Sequence, residues 1–199
     1  MAKYQGEEKS GKLGKVIYSS WHGRPYVRQM PETVANPRTE LQQAHRNAFA
    51  AISKLSSDLK EVHLIGLYNY ALREKLDTYS VFKKINKDCC IGGVISYPCI
   101  VVSKGPVDMV RVTSVEVDDQ RVLHVTFDSE VTEKNAMDMI GLFVYCPELR
   151  VCKAVPPVLR SAGVASVELT EELIRHKWHL YGFVQDEKRR TSDTIYVAI

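Results

Sequence analysis

The chain has 199 residues, 45% of them hydrophobic, 26% charged and 9% aromatic, with 11 Gly, 8 Pro and 5 Cys. These proportions exclude a collagen, a low-complexity tail and a disulfide miniprotein, and a chain of this length can build a core without a covalent staple. The net charge of +3 hides an asymmetry: residues 1–60 carry ten basic and five acidic side chains, whereas residues 106–199 carry eleven and fifteen. A basic front and an acidic back suit contact with phosphate or an acidic protein, and equally suit head-to-tail self-association. Residues 1–15 lack the apolar stretch of a signal peptide, and no run reaches the roughly 18 apolar residues of a membrane span. The expectation is a chain without a signal peptide or a membrane partner, placed in the cytoplasm or in a virion-like particle. Five cysteines, an odd number, read there as free thiols.

Taken in order, Lys15 to Trp21 and Arg24 to Arg28 read as a hairpin around His22-Gly23. Its lead-in, with Gly6, Gly11 and Gly14, reads as flexible. Pro25 cannot donate to a ladder, which places the second strand at an edge. Period two sets Arg24, Tyr26 and Arg28 on one face. A helix is predicted next, with Asn36 as N-cap, Pro37 at its first position and Glu40 in its first turn. Leu41, Ala44, Ala48, Ile52, Leu55 and Leu59 form its apolar stripe, widened by Phe49 and Ala51. A second helix is predicted over 62–76, with Leu64, Ile65, Tyr68, Leu72 and Leu76 as its apolar row. A short third covers 79–86, and Gly92-Gly93 closes this half. The three helices are expected to form a helical hairpin with a trailing turn.

From Tyr97 onward the period changes to two. Strands are predicted at 98–103, 110–117, 121–127, 139–146, 150–155, 165–169, 178–185 and 191–198. Seven or eight short strands at such spacing predict an antiparallel immunoglobulin-like β-sandwich. The fold class expected is therefore α+β: an N-terminal β-hairpin and helical hairpin in residues 1–95, then the sandwich in residues 96–199.

Catalytic and cofactor signatures are missing. The sequence has no GxSxG, GxxxxGK[ST] or GxGxxG, and no CxxC or HxxxH, so no catalytic residue, metal ligand or cofactor is expected. Asp118-Asp119 and Asp186-Glu187 fall in predicted turns, where acidic residues serve turn geometry. His176 and His179 fall on opposite faces of a strand, His63 reads as half-buried beside a helix, and His124 lies on the polar face of its strand. The chemistry that remains is basic and aromatic: Lys12, Lys15, Trp21, Arg24, Tyr26, Arg28, Arg38 and Arg46. Arginine pairs with phosphate and exposed aromatics stack on bases, which suits single-stranded nucleic acid. The same aromatics serve as well to dock a marginal hairpin onto the helices or onto another protein.

Gly14-Lys-Val-Ile, the segment from Ser20 through Trp21 and Arg24 to Arg28, and Asn36 through Thr39, Gln43 and Arg46 to Phe49 carry a resemblance. The chain resembles an uncharacterised, domain-of-unknown-function family common in Bacteroidetes, with G-K-V, W-x-G-x-x-Y-x-R and N-P-x-T-x-x-Q-x-x-x-R motifs. Val144-Tyr145, the Arg160–Val164 segment, Tyr181-Gly-Phe183 and the Ser192–Val197 segment match that family's C-terminal β region. The five cysteines, and Lys12-Leu13 where more glycine is usual, depart from it. The resemblance implies no activity. A second likeness, over residues 36–46 alone, is to small phage-type proteins and implies a role in a particle. Two functions follow as expectations. The first is a non-enzymatic structural or interaction protein in a phage-derived or multi-subunit assembly, with a protein partner or a second copy. The second is a nucleic-acid-binding protein that uses the basic-aromatic hairpin and the first helix. A hydrolase or a glycan-binding sandwich is a third, because one fold hosts many functions.

Overall fold

A computed structural model describes residues 3–5, 8–21, 23–33, 38–128 and 130–198. The chain divides into two compact units, Met1–Thr39 and Glu40–Ile199. The first is an antiparallel four-stranded sheet in the order β1-β2-β3-β4: β1 Lys3–Gln5, β2 Glu8–Leu13, β3 Val16–Trp21 and β4 Arg24–Gln29. The hairpin read from the sequence is present as β3 and β4, with Pro25 on the edge strand. Its turn carries Gly23 at φ 75°, a conformation that favours glycine, and His22 lies outside the described residues. Where the lead-in reads as flexible, its described residues form two further strands, and Gly6 lies outside the described residues. Gly11 at φ 113° lets the chain stay in the ladder between Lys3↔Ser10 on one side and Lys12↔Ile17 on the other.

The second unit opens with helices α1 Glu40–Asp58, α2 Lys60–Gly66, α3 Tyr68–Glu74 and α4 Thr78–Asn86. Asn36 and Pro37, expected to cap the first helix, lie outside the described residues. The predicted second helix is two, bent at Leu67, while the backbone bonds Leu59 N–H to Leu55 O, His63 N–H to Leu59 O, Leu67 N–H to His63 O and Ala71 N–H to Leu67 O run through. Lys75 ends α3 in the left-handed conformation. Asp77 then caps α4, its carboxylate accepting from Ser80 N at 2.9 Å. The return of α4 against α1 and α2 makes the expected helical hairpin.

Which apolar row faces inward differs from the reading by period. Ile52, Leu55, Leu59, Val62, Leu67 and Ala71 are buried. Leu64, Ile65, Tyr68, Leu72 and Leu76, expected as the apolar row of one helix, are 39–60% exposed, and Leu41 and Phe49 are exposed as well. The helices 60–66 and 68–74 carry two apolar rows, and the bend turns the first inward. His63 is fully buried, not half-buried.

A two-stranded hairpin follows, β5 Cys90–Ile91 and β6 Val94–Ile95, turned by Gly92 and Gly93 at φ 61° and 96°. The remaining strands are β7 Val112–Val117, β8 Val122–Phe127, β9 Met139–Cys146, β10 Val151–Leu159, β11 Val164–Glu168, β12 His179–Gln185 and β13 Ile195–Ala198, with helix α5 Glu171–Arg175 before β12. They form two antiparallel sheets, in the orders β11-β8-β7 and β10-β9-β12-β13. The fold is α+β. Residues 98–103 are not a strand: Val101 N–H donates to Asn86 Oδ1, and Val102 and Ser103 N–H both donate to Thr194 Oγ1, so side chains take the place of a neighbouring strand. The strand predicted at 191–198 begins only at Ile195, because Ser192 is tied to Val184 and the Thr191 hydroxyl to Gly66 O. The strand predicted at 150–155 runs on to Leu159, with a register shift between Val155 and Val158 where Pro156 and Pro157 offer no N–H.

Two cores meet at the four-stranded sheet. Leu123, Val125 and Phe127 of β8 share one with Ile140, Leu142, Val144, Leu180 and Val184 on the near face of β9 and β12. Phe143, Tyr145, Tyr181 and Phe183 on the far face share the other with the helices. This second core spans the boundary expected between residues 95 and 96: helices and sheet belong to one unit, and the division falls at residues 39–40 instead. Among the described residues, no helix is long and apolar enough to cross a membrane.

Two glycines allow close backbone contact, Gly66 at the end of α2 against the segment at 102–103 and Gly105 in a loop against Thr191. A Cβ on Gly66 would lie 2.3 Å from Val102 O, and one on Gly105 would lie 2.0 Å from Thr191 O. Neither position needs an unusual φ, so the constraint is steric. Gly66→Ala and Gly105→Ala are each expected to cost about 1–3 kcal/mol or more, read as a fall in the urea midpoint at unchanged slope. His63 supplies a second test. Its Nε2–H donates to Ser56 O at 2.9 Å, while its Nδ1 is buried without a hydrogen-bond partner and Tyr79 and Phe82 pack on the ring. Burial lowers its pKa from the usual 6.5, so the folded chain holds the ring neutral where the unfolded chain takes a proton. Stability is therefore full above the unfolded value and is lost as pH falls through the folded one. The melting temperature is expected to fall from about pH 7 to about pH 5 more steeply in the wild type than in His63→Leu.

Candidate interaction surface on the N-terminal sheet

Antiparallel pairing sets directly opposed residues on the same face. The registers Lys12↔Ile17, Ile17↔Arg28, Ser19↔Tyr26 and Trp21↔Arg24 therefore bring Lys12, Trp21, Arg24, Tyr26 and Arg28 onto one face of the sheet. The opposite face carries an apolar row flanked by Ser20 and Gln29. Leu13↔Val16, Tyr18↔Val27 and Ser20↔Pro25 place Leu13, Val16, Tyr18, Pro25 and Val27 there. Both faces carry exposed side chains: Trp21 is 68% exposed, Leu13 62% and Val27 58%, while Val16, Ile17, Tyr18 and Ser19 are half-buried. None of the residues 10–21, 23–33 and 38–39 is buried.

The other three sequence candidates are placed elsewhere. Lys15 sits in the β2–β3 turn, its Nζ 3.5 Å from Glu32 Oε1, in an ion pair too exposed to contribute much. Arg38 precedes the first helix at φ 48°. Arg46 lies on α1, in the second unit, and does not belong to the face of the sheet. The set of eight read from the sequence thus divides into five residues that share a face and three that do not.

The second unit holds a further cleft that the sequence did not signal. It has a volume of about 340 Å³ and is lined by Lys54, Asp58, Tyr97, Tyr145, Glu148 and Arg150, among others. Asp58 organises it: Tyr145 OH donates to its Oδ2 at 3.0 Å, and Arg150 donates to both oxygens, Nη2 to Oδ1 at 2.6 Å and Nε to Oδ2 at 3.2 Å. Burial and the Asp58 carboxylate raise the Tyr145 pKa, so the phenol remains a donor. These groups satisfy one another. They lie 87 and 92 positions apart in the chain, which no spacing pattern could reveal. The remaining charged candidates are likewise spent on structure. Asp118 accepts from Gln120 N and Val122 N in the β7–β8 turn and contacts His124 Nε2, while Asp186 binds the backbone and guanidinium of Arg190. His176 contacts Glu148, and His179 stacks on Tyr97. Among the described residues, no group of three or more His, Cys, Asp or Glu side chains is placed to hold a metal ion.

Comparison with curated proteins gives no match. Among solved structures, the chain is similar to the solution structure of the fn3 domain of human contactin 1, at 10% identity and a TM-score of 0.31, over 48% of this chain and 80% of that one. Residues 8–198 match the family of unknown function DUF6266, and the chain belongs to that family.

Proposed function

We propose that this is a non-enzymatic interaction protein whose N-terminal sheet is completed by another protein chain, as a part of a multi-subunit assembly. The observation that carries this reading is the sheet itself: four strands, two faces of opposite chemistry, and no buried residue among those whose burial is described. A small sheet gains stability by burying an apolar face, and here Leu13 and Val27 of that face stand open to solvent. The exposed row of Leu64, Tyr68, Leu72 and Leu76 on the second unit supports the same reading, since apolar surface gathered in one place marks protein contact. In this reading the second unit is the rigid carrier. Its sheets β11-β8-β7 and β10-β9-β12-β13 are read as an immunoglobulin-like sandwich, supported by the one core they share and by a chain that passes back and forth between them.

Light scattering across a size-exclusion peak, taken before any nuclease step, tests this. The expectation is a mass well above that of one chain with a protein-like absorbance ratio. In the double variant Leu13→Ser plus Val27→Ser the mass falls to one chain, whereas Arg24→Ala plus Arg28→Ala leaves it unchanged. A wild-type chain that runs as a monomer at high concentration and captures nothing would sink the proposal.

A second reading, binding of single-stranded nucleic acid, is favoured by one specific observation. Three cations and two aromatics share one face, the combination in which cationic groups meet phosphates and rings meet bases. With Lys12, Arg24 and Arg28 each on a phosphate, log K is expected to fall with log salt at a slope of about −2. Arg28→Ala is expected to reduce that slope by about 0.7 in a fluorescence-anisotropy titration with an oligonucleotide. A slope unmoved by removing both arginines rules this reading out.

A further inference from the structure

The end of α4, the β5–β6 hairpin and the segment after it bring two cysteines from separate stretches of chain to one place. Asn86, fully buried, is the clamp. Its Nδ2 donates to Phe82 O at 3.0 Å and to Val101 O at 2.9 Å, and its Oδ1 accepts from Val101 N–H at 2.7 Å. The last turn of α4 is thereby tied to the chain at 101. Between these points Ser96 N–H donates to Cys89 O at 2.8 Å, and Cys99 N–H donates to Ser96 O at 3.1 Å. In this frame the Cys89 thiol donates to the carbonyl oxygen of Cys99 at 3.0 Å, and Cys99 Sγ lies 3.3 Å from Ser96 Oγ.

We propose that Cys89 and Cys99 are a modification site: they close a reversible disulfide by exchange with a small-molecule disulfide such as oxidised glutathione. The bond fastens a loop around the β5–β6 hairpin, whose tip residues Ile91 and Val94 are 82% and 77% exposed. Exchange needs one accessible thiol to start and a second beside it to finish. Of the five cysteines Cys99 is the exposed one, and Cys89 is half-buried against it. Cys90 and Cys146 are buried in the two cores, and burial pushes the Cys152 thiol up to about 12, so none of these competes for the reagent. Burial, together with the nearby Cys99 thiol, also raises Cys89, which suits it to the second step and not the first.

The steps balance as follows. Cys99 gives its proton to water, and its thiolate attacks one sulfur of the reagent disulfide. That sulfur–sulfur bond breaks and releases one thiolate. Cys89 gives up its proton and displaces the second thiolate from the mixed disulfide at Cys99, forming the Cys89–Cys99 bond. The two released thiolates take up the two protons. Two cysteine thiols are oxidised and one disulfide is reduced to two thiols; excess reduced thiol reverses the sequence.

The test uses the full folded chain. It is treated with oxidised glutathione, then denatured in the presence of N-ethylmaleimide so that every remaining thiol, buried Cys90 included, is blocked, and digested with trypsin. Cleavage after Lys87 and Lys104 gives one peptide that holds Cys89, Cys90 and Cys99. This peptide is expected to be lighter by two hydrogens and to carry a single maleimide, with fragmentation placing the link between Cys89 and Cys99. Cys99→Ser is expected to slow loss of the Cys89 thiol about tenfold or more, because the entry point is gone. Three maleimides on the wild-type peptide, a stable glutathione adduct at Cys99 without closure, or a link placed between Cys89 and Cys90 would each overturn the proposal. Fragmentation of the wild-type peptide decides the matter without depending on a variant that folds.

Discussion

Burial on both faces of the paired strands β9 and β12 is the constraint from which the second unit follows. Every residue from Leu142 to Cys146 and from Leu180 to Val184 is buried. A strand in an ordinary antiparallel sheet alternates between core and solvent; one covered on both sides reads as a continuous apolar run. Alternation survives here as a division between two cores. Leu142, Val144, Leu180 and Val184 meet β8 and its neighbours, while Phe143, Tyr145, Tyr181 and Phe183 meet the helices. Each such side chain contributes roughly 1.5–3 kcal/mol on leaving water. The pair also fixes the helices, since its aromatic face shares a core with Ile52 and Leu55 of α1 and Val62 of α2.

The polar atoms in this second core are disposed accordingly. Tyr181 OH donates to Tyr97 O at 2.9 Å and Tyr145 OH to Asp58. Buried phenols without such acceptors would carry a desolvation cost. Gly182 is small because a Cβ there would lie 2.5 Å from Leu142 Cδ2, at the point where the two strands approach. His63, with one ring nitrogen unsatisfied, makes this core sensitive to acid.

The N-terminal sheet obeys none of this. Its pairing is regular through four strands, yet none of its residues whose burial is described is buried, and Val16 to Ser19 are only half-covered. Hydrogen bonding between strands gives little net stability in water, because the unfolded chain bonds to solvent. A sheet held mainly by its ladder is a surface for something else to cover. Among the described residues the second unit thus has two cores and the first has none, and this contrast, more than any single side chain, supports the proposed interaction role.

The sequence alone determined the local elements. Period-two runs located β8, β9 and β12 to within a residue or two, Gly23 and Gly92-Gly93 marked turns, and the register of the first hairpin already set Arg24, Tyr26 and Arg28 on one face. Membership of a family without known activity was also legible. Tertiary structure decided the rest. Periodicity picked the row Leu64, Ile65, Tyr68, Leu72 and Leu76 over residues 62–76, but a second row satisfies a helix equally well, and the bend at Leu67 and the aromatic face of the sheet select Val62, Leu67 and Ala71 instead. Residues 98–103 carry the apolar content of a strand, but their partners are the side chains of Asn86 and Thr194, which local pattern does not register. The Asp58–Tyr145–Arg150 group and the meeting of Cys89 with Cys99 rest on contacts between separate stretches of chain. Spacing along a chain encodes which face a residue takes within its own element; what lies against that face is fixed when the elements close on one another.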